Sequence, residues 1–157
     1  MFNINGEQLR GGTFCASKAG LAVGGTSTSA RTNAPNGAGV DFAIKGIGYH
    51  LTDADNNIAF TGLTQADAYT CLYLVCVASD NTLTVVQGTA VLTASLTAGT
   101  DVLDWPTPTD GTCALGAIKL VTDGGAFTGG TTGLDNADVT DTYYDFIGGV
   151  PVEPLTS

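Results

Sequence analysis

Asp53-x-Asp55-x-Asn57 has the residue types and spacing with which a calcium-binding loop opens. Side-chain oxygens at alternate positions of such a loop converge on one hard cation. The remainder of that loop is missing, because Ile58 stands where the sharp turn needs glycine and Thr64 where a bidentate glutamate closes the site. Residues 53–57 therefore read as a polar turn, and neither a metal nor another cofactor is expected.

His50 is the single imidazole of the chain, and no G-x-S-x-G sequence accompanies it, so nothing selects a nucleophile for a serine triad. A Cys–His pair would have to draw on one of four thiols that the sequence does not distinguish. The glycine clusters Gly124-Gly125, Gly129-Gly130 and Gly133 lack the Gly-Lys-Ser/Thr of a phosphate cradle and read as loops. Acids that could pair for glycoside hydrolysis fall mostly in turns such as Asp80-Asn81, Asp110-Gly111 and Asp123-Gly124. No catalytic residue is assigned, and the expectation is a protein that is not an enzyme. Trp105, beside Pro106 and Pro108, and the pair Tyr143-Tyr144 are the aromatic positions suited to a partner interface, a sugar platform or the core.

Cys15, Cys71, Cys76 and Cys113 lack C-x-x-C spacing, which argues against zinc or a redox pair. They read as buried thiols, with one or two disulfides as the alternative. Cys71 and Cys76 cannot bond to each other on one strand, because an odd separation points them to opposite faces.

Charge is distributed unevenly. Arg10, Lys18, Arg31 and Lys45 outnumber Glu7 and Asp41 over residues 1–50, whereas Lys119 is the one base among thirteen carboxylates beyond them. A net charge of −10 and scattered bases exclude a nucleic-acid groove. There is no apolar run of membrane-spanning length, and Met1 to Gly6 carry neither part of a secretion signal, so no membrane partner and no leader are expected.

The elements that must position these residues are strands. Only 13% of residues are charged, and abundant Gly and Thr favour short strands joined by tight turns. Residues 1–39 are rich in Gly, Ser and Thr and offer little apolar area, so they read as an extended arm anchored by Phe14, Leu21 and Val23 and bearing Arg10, Lys18 and Arg31. From Val40 an alternation sets in, with Val40, Phe42 and Ile44 on one face, and Ile47, Tyr49 and Leu51 continue it beyond Gly46. Residues 68–78 are apolar at both parities, the mark of a strand covered on both sides. Asp80-Asn81 turns that strand into a hairpin with Leu83 and Val85 inward. Val91 to Pro108 reads as irregular, Gly116–Val121 and Thr142–Ile147 as strands, and only Leu63–Tyr69 and Leu134–Val139 as able to hold a turn or two of helix. The expectation is an all-β body over residues 40–148, a sandwich or partly closed barrel of seven to nine short strands, with a tail over 149–157.

In order along the chain, Leu21-Ala22-Val23-Gly24-Gly25-Thr26, Val40-Asp41-Phe42-Ala43-Ile44-Lys45-Gly46, Cys71-Leu72-Tyr73-Leu74-Val75, Leu115-Gly116-Ala117-Ile118-Lys119, Phe127-Thr128-Gly129-Gly130-Thr131-Thr132-Gly133-Leu134-Asp135 and Thr142-Tyr143-Tyr144-Asp145 resemble a family of small tailed-bacteriophage virion proteins. The resemblance implies a non-enzymatic component of the particle. Its implied role is capsid decoration or cement: a homo-oligomer, often a trimer, on the shell exterior, with the major capsid protein or another virion protein as partner. A tail, baseplate or fibre domain that binds host glycans is the alternative.

Overall fold

The computed structural model describes residues 12–33 and 37–156. Thirteen strands and one short α-helix lie among them: β1 (Phe14–Cys15), β2 (Leu21–Val23), β3 (Ser29–Thr32), β4 (Val40–Ile44), β5 (Ile47–Leu51), β6 (Ala54–Ala59), β7 (Thr64–Gln65), β8 (Tyr69–Ala78), β9 (Leu83–Gln87), β10 (Val91–Leu92), α1 (Thr93–Thr97), β11 (Thr112–Thr122), β12 (Phe127–Thr128) and β13 (Val139–Asp145). The fold is all-β, with several sheets packed in a sandwich-like arrangement and no closed barrel. Seven of the strands have five residues or more; the others are pieces of two to four.

The centre is the antiparallel pair β8–β11, flanked by β9 and β10 on the β8 side and by β13 beyond β11. Every residue of β8 from Thr70 to Val77 is buried, because its two parities enter two separate clusters. Cys71, Tyr73, Val75 and Val77 face the larger core, together with Phe42, Ile58, Phe60, Leu115 and Phe127. Leu72, Leu74 and Cys76 face a smaller one closed by Leu96 of α1, Leu103 and Phe146. The covering of both faces expected from the double-parity apolar run thus comes from within the chain. Phe60, Tyr73 and Phe127 meet edge to face, with ring centroids 5.7 to 6.0 Å apart, the arrangement that ring quadrupoles favour.

The hairpin β4–β5 pairs Ile44 with Ile47 around Lys45 and Gly46. Their φ values of 50° and 80° are those of a type I′ turn, whose twist suits a two-residue hairpin. β1 pairs with the other edge of β4, and Cys15 is bridged in turn to Gly148.

Two expectations are corrected. The division at residue 39/40 falls inside one bonded unit: Phe14 and Cys15 pair with β4, and β3 pairs with both β2 and β6. Cys15, Ala19 and Ala30 are fully buried, so small residues supply the core contacts that a purely apolar reading overlooks. The other correction concerns helix. Leu63–Tyr69 and Leu134–Val139 hold none; α1 lies in the stretch read as irregular, where Leu96 alone is buried and a 3.6-residue period has no room to show. Where the tail expected over 149–157 is described, it is bonded back to the body: Leu103 and Leu155 form a backbone bridge and Val150 packs on the smaller core.

Candidate functional site: two assembly surfaces

The polar run at 53–57 is not a turn. Residues 54–59 form β6, and their side chains serve the hairpin β2–β3 instead of an ion. Asp55 Oδ1 accepts the Gly25 amide at 2.8 Å, Asn56 Oδ1 accepts the Thr26 amide at 2.7 Å, and Asn57 Oδ1 accepts the Thr32 amide at 3.0 Å. Side chains that satisfy otherwise unpaired amides take over the role of a ladder. Asp53 has both carboxylate oxygens buried without a hydrogen-bond partner, as is Arg31 Nε. Among the described residues no group of three or more His, Cys, Asp or Glu side chains is placed to hold a metal.

His50 Nδ1 lies 2.8 Å from Asp41 Oδ1 on the exposed face of β4–β5. No nucleophile joins that pair in the described hydrogen bonds. The four cysteines are free and buried. Cys71 and Cys76 enter the larger and smaller clusters respectively, on opposite faces as their spacing requires. Burial pushes the Cys71 thiol up to about 11 and the Cys113 thiol up to about 12, and raises those of Cys15 and Cys76. A thiol that resists ionisation is a poor nucleophile.

The expected anchor residues separate. Leu21 is buried, Val23 packs half-buried against the larger core, Arg31 is half-buried in β3 opposite Ala22, and Lys18 is exposed. Arg10 lies outside the described residues. Phe14 is 36% exposed and forms one wall of a surface groove of about 500 Å³ over the outer face of β4–β5, floored by Ala43 and Gly48 and rimmed by His50, while Phe42 and Tyr49 stack on the opposite, core-facing side of the same hairpin. This groove lies beside a sheet edge. Because Ile44 and Ile47 flank a two-residue turn, Phe42–Tyr49 and Val40–Leu51 are the hydrogen-bonded pairs, and Gly48 and His50 direct their backbone groups away from β4. Asn81 Nδ2 donates to the outward His50 carbonyl at 3.1 Å, while Gly48, which has no side chain, and the 60% exposed Ile47 complete the edge. The sequence pattern puts Ile47 on one face with Tyr49 and Leu51 without marking it as an interface position, although an alternating apolar residue beside a hairpin turn is where such an edge begins.

The body aromatics also divide. Tyr143 packs on the larger core and donates through its hydroxyl to Asp141 Oδ2 at 2.5 Å; burial raises its phenol pKa. Tyr144 faces the opposite way, edge to face with Trp105 at 5.6 Å, and Phe146 meets the same indole at 5.4 Å. Trp105 Nε1 donates to the Glu153 carbonyl at 2.7 Å. The indole thus holds the carboxy-terminal segment, and shallow grooves of about 390 and 350 Å³ open beside it. No protein-family model, curated protein or solved structure matches this chain.

Proposed function

We propose that the chain is a non-enzymatic structural protein of a tailed-bacteriophage virion, a capsid decoration or cement protein that forms a homo-oligomer, of which the trimer is the preferred form, on the shell exterior. The observation that carries the reading is the β5 edge, which no described strand pairs, beside the groove between Phe14 and His50. A cement protein has to bridge neighbouring capsomers, and an extended segment of a shell protein can add to such an edge by main-chain hydrogen bonds while its side chains fill the groove. The acidic remainder of the chain, 13 carboxylates beyond residue 50, then keeps the exposed body soluble and self-repelling. The resemblance to small phage virion proteins points the same way.

The test is attachment to isolated phage shells, read by co-sedimentation and by the temperature at which shells rupture. Bound protein should raise that temperature, and Phe14→Asp with Ile47→Asp should abolish attachment with an unchanged near-ultraviolet circular dichroism spectrum. Full attachment by the double variant removes the β5 edge from the reading; no attachment of the native chain to any shell removes the decoration role. Removing residues 1–11, with Arg10, asks separately whether that segment contributes.

A tail, baseplate or fibre domain that binds host glycans is favoured by one observation, the half-buried Trp105 beside grooves that carry Asp104, Thr107 and Gln87. Indole stacking against a sugar, with flanking polar groups, is a common recognition mode. Glycan-array binding lost in Trp105→Ala would support it, and an empty array would end it.

A further inference from the structure

We propose that the segment Val150–Leu155 is an exchangeable strap, which in the homo-oligomer seats on the Leu103–Trp105 track of a second copy of this chain. The inference rests on the oligomeric part of the reading above and on no property of the shell.

Within one chain the track already shows what it takes. Leu103 and Leu155 exchange two backbone hydrogen bonds, of 2.8 and 3.0 Å, and the Trp105 indole donates to the Glu153 carbonyl at 2.7 Å. Pro154 lies beside the indole, and Leu155 and Val150 touch the smaller core. An indole that donates to the carbonyl before a proline, next to a buried Pro106, is the chemistry with which aromatic grooves hold extended proline-containing peptides. The strap is therefore bound as a peptide ligand is bound, and a ligand attached to its own receptor can be traded with a neighbour.

Three features favour trading. The attachment is narrow in hydrogen bonds: among the described residues it shows the Leu103–Leu155 bridge and the indole bond, beside the apolar contacts of Val150, Pro154 and Leu155. The strap departs from a Gly-Gly joint, in which Gly148 has φ 98° and neither glycine has an atom within 4 Å of the position of a Cβ. Gly148 is fixed to Cys15, so Gly149 is the pivot. Finally, three of the six exposed large apolar residues among the described residues flank these points: Val102 (40% exposed) precedes Leu103, Ile147 (65%) precedes the joint, and Val152 (93%) is on the strap itself. A single copy leaves them in water; a crossing strap brings a second copy against them.

The decisive experiment mixes two full-length variants, Leu103→Cys and Leu155→Cys. Neither variant can form a 103–155 disulfide within one chain, so a covalent heterodimer that appears on a non-reducing gel after mild oxidation of the mixture, and not of either variant alone, forms across copies. The expected result is that heterodimer, lost on reduction. Its absence, while the double variant closes an intrachain bond, overturns the inference and fixes the strap in its own chain. Because Leu103 is fully buried, a second measurement uses Leu155→Asp, with Trp105, the single tryptophan, as reporter. Exchange predicts a red-shifted emission together with a fall of the light-scattering mass to that of one chain. A red shift with the oligomer mass unchanged sinks exchange and leaves the decoration reading intact. Heterodimers that fail to attach to shells leave exchange intact and sink decoration.

Discussion

Cys15 and Gly148 exchange two backbone hydrogen bonds, from the Cys15 amide to the Gly148 carbonyl at 2.8 Å and back at 2.7 Å. They join β1 to the chain just beyond β13, so the β5–β4–β1 sheet continues through that crossing toward β11 and β8. The first described segment is consequently a structural member of the body.

Removal of residues 1–38 should therefore prevent folding rather than release a stable body. It strips Cys15, Ala19, Leu21 and Ala30 from the larger core and exposes β4 and β6 as new edges. The expected outcome is loss of the cooperative urea transition, followed by circular dichroism; a cooperative transition in the truncated chain would show that the segment is dispensable. As a milder probe, Leu21→Ala should cost about 2–5 kcal/mol.

Gly116 and Gly48 should respond oppositely to alanine. A Cβ at Gly116 would stand 2.2 Å from the Tyr144 carbonyl oxygen and 2.6 Å from Leu21 Cδ1, both across packed elements at the β11 irregularity. Overpacking of that kind costs about 1–3 kcal/mol, and more where backbone must move. Gly48 has nothing within 4 Å of its Cβ position, and its φ is not in the left-handed region, so Gly48→Ala should be neutral or slightly stabilising. Paired thermal melts decide it, and equal losses would mean that the close approach at Gly116 is not the determinant.

The all-β class, the β4–β5 alternation and the two covered faces of β8 were legible because large side chains recur with period two. The packing of residues 14–32 was not, because Ala19 and Ala30 fill gaps without any apolar signal. The polar run at 53–57 misled for a different reason. Its carboxyl and amide oxygens pair with amides about 25 to 30 residues away, which no local pattern encodes. At the surfaces, Phe14 and Trp105 could be picked out by type, whereas the partner of Trp105 is a backbone carbonyl at Glu153, invisible to any motif.

Gln65 should be the most sensitive polar position. It is 2% exposed, donates to the Tyr69 and Leu120 carbonyls at 2.8 and 3.1 Å, and accepts from the Tyr73 hydroxyl at 3.1 Å. Gln65→Leu takes the Gln65 acceptor from the Tyr73 hydroxyl and one donor from each carbonyl, of which the Tyr69 oxygen keeps the Thr122 hydroxyl, so the loss should be about 1–3 kcal/mol in all. Gln65→Glu adds a pH signature. Burial would raise the carboxyl pKa above its unfolded value of about 4.3, so the variant should approach native stability below that pH and lose it as pH rises. Urea midpoints at acid and neutral pH give the comparison, and a pH-independent difference would place the side chain in water.

The buried thiols make the native fold sensitive to alkali. Burial is the leading cause of all four upward shifts, and the Cys113 thiol is raised further by the neighbouring Cys15 and Cys76. Below the unfolded pKa of about 8.5 each thiol is neutral in both states and costs nothing. Above it the unfolded chain ionises first, so stability falls as pH climbs toward the folded values of about 11 for Cys71 and about 12 for Cys113. Denaturation midpoints should be flat from neutral pH to about 8 and decline steadily beyond, with Cys71→Ala and Cys113→Ala together flattening the decline. Tyr73 and Tyr143 are also raised, by burial first, but phenols ionise in the unfolded chain only near pH 10, so the onset below that belongs to the thiols. In the same window iodoacetamide should leave the native thiols unlabelled and modify all four in urea. Rapid labelling of the native protein would mean that at least one of these sites opens to solvent.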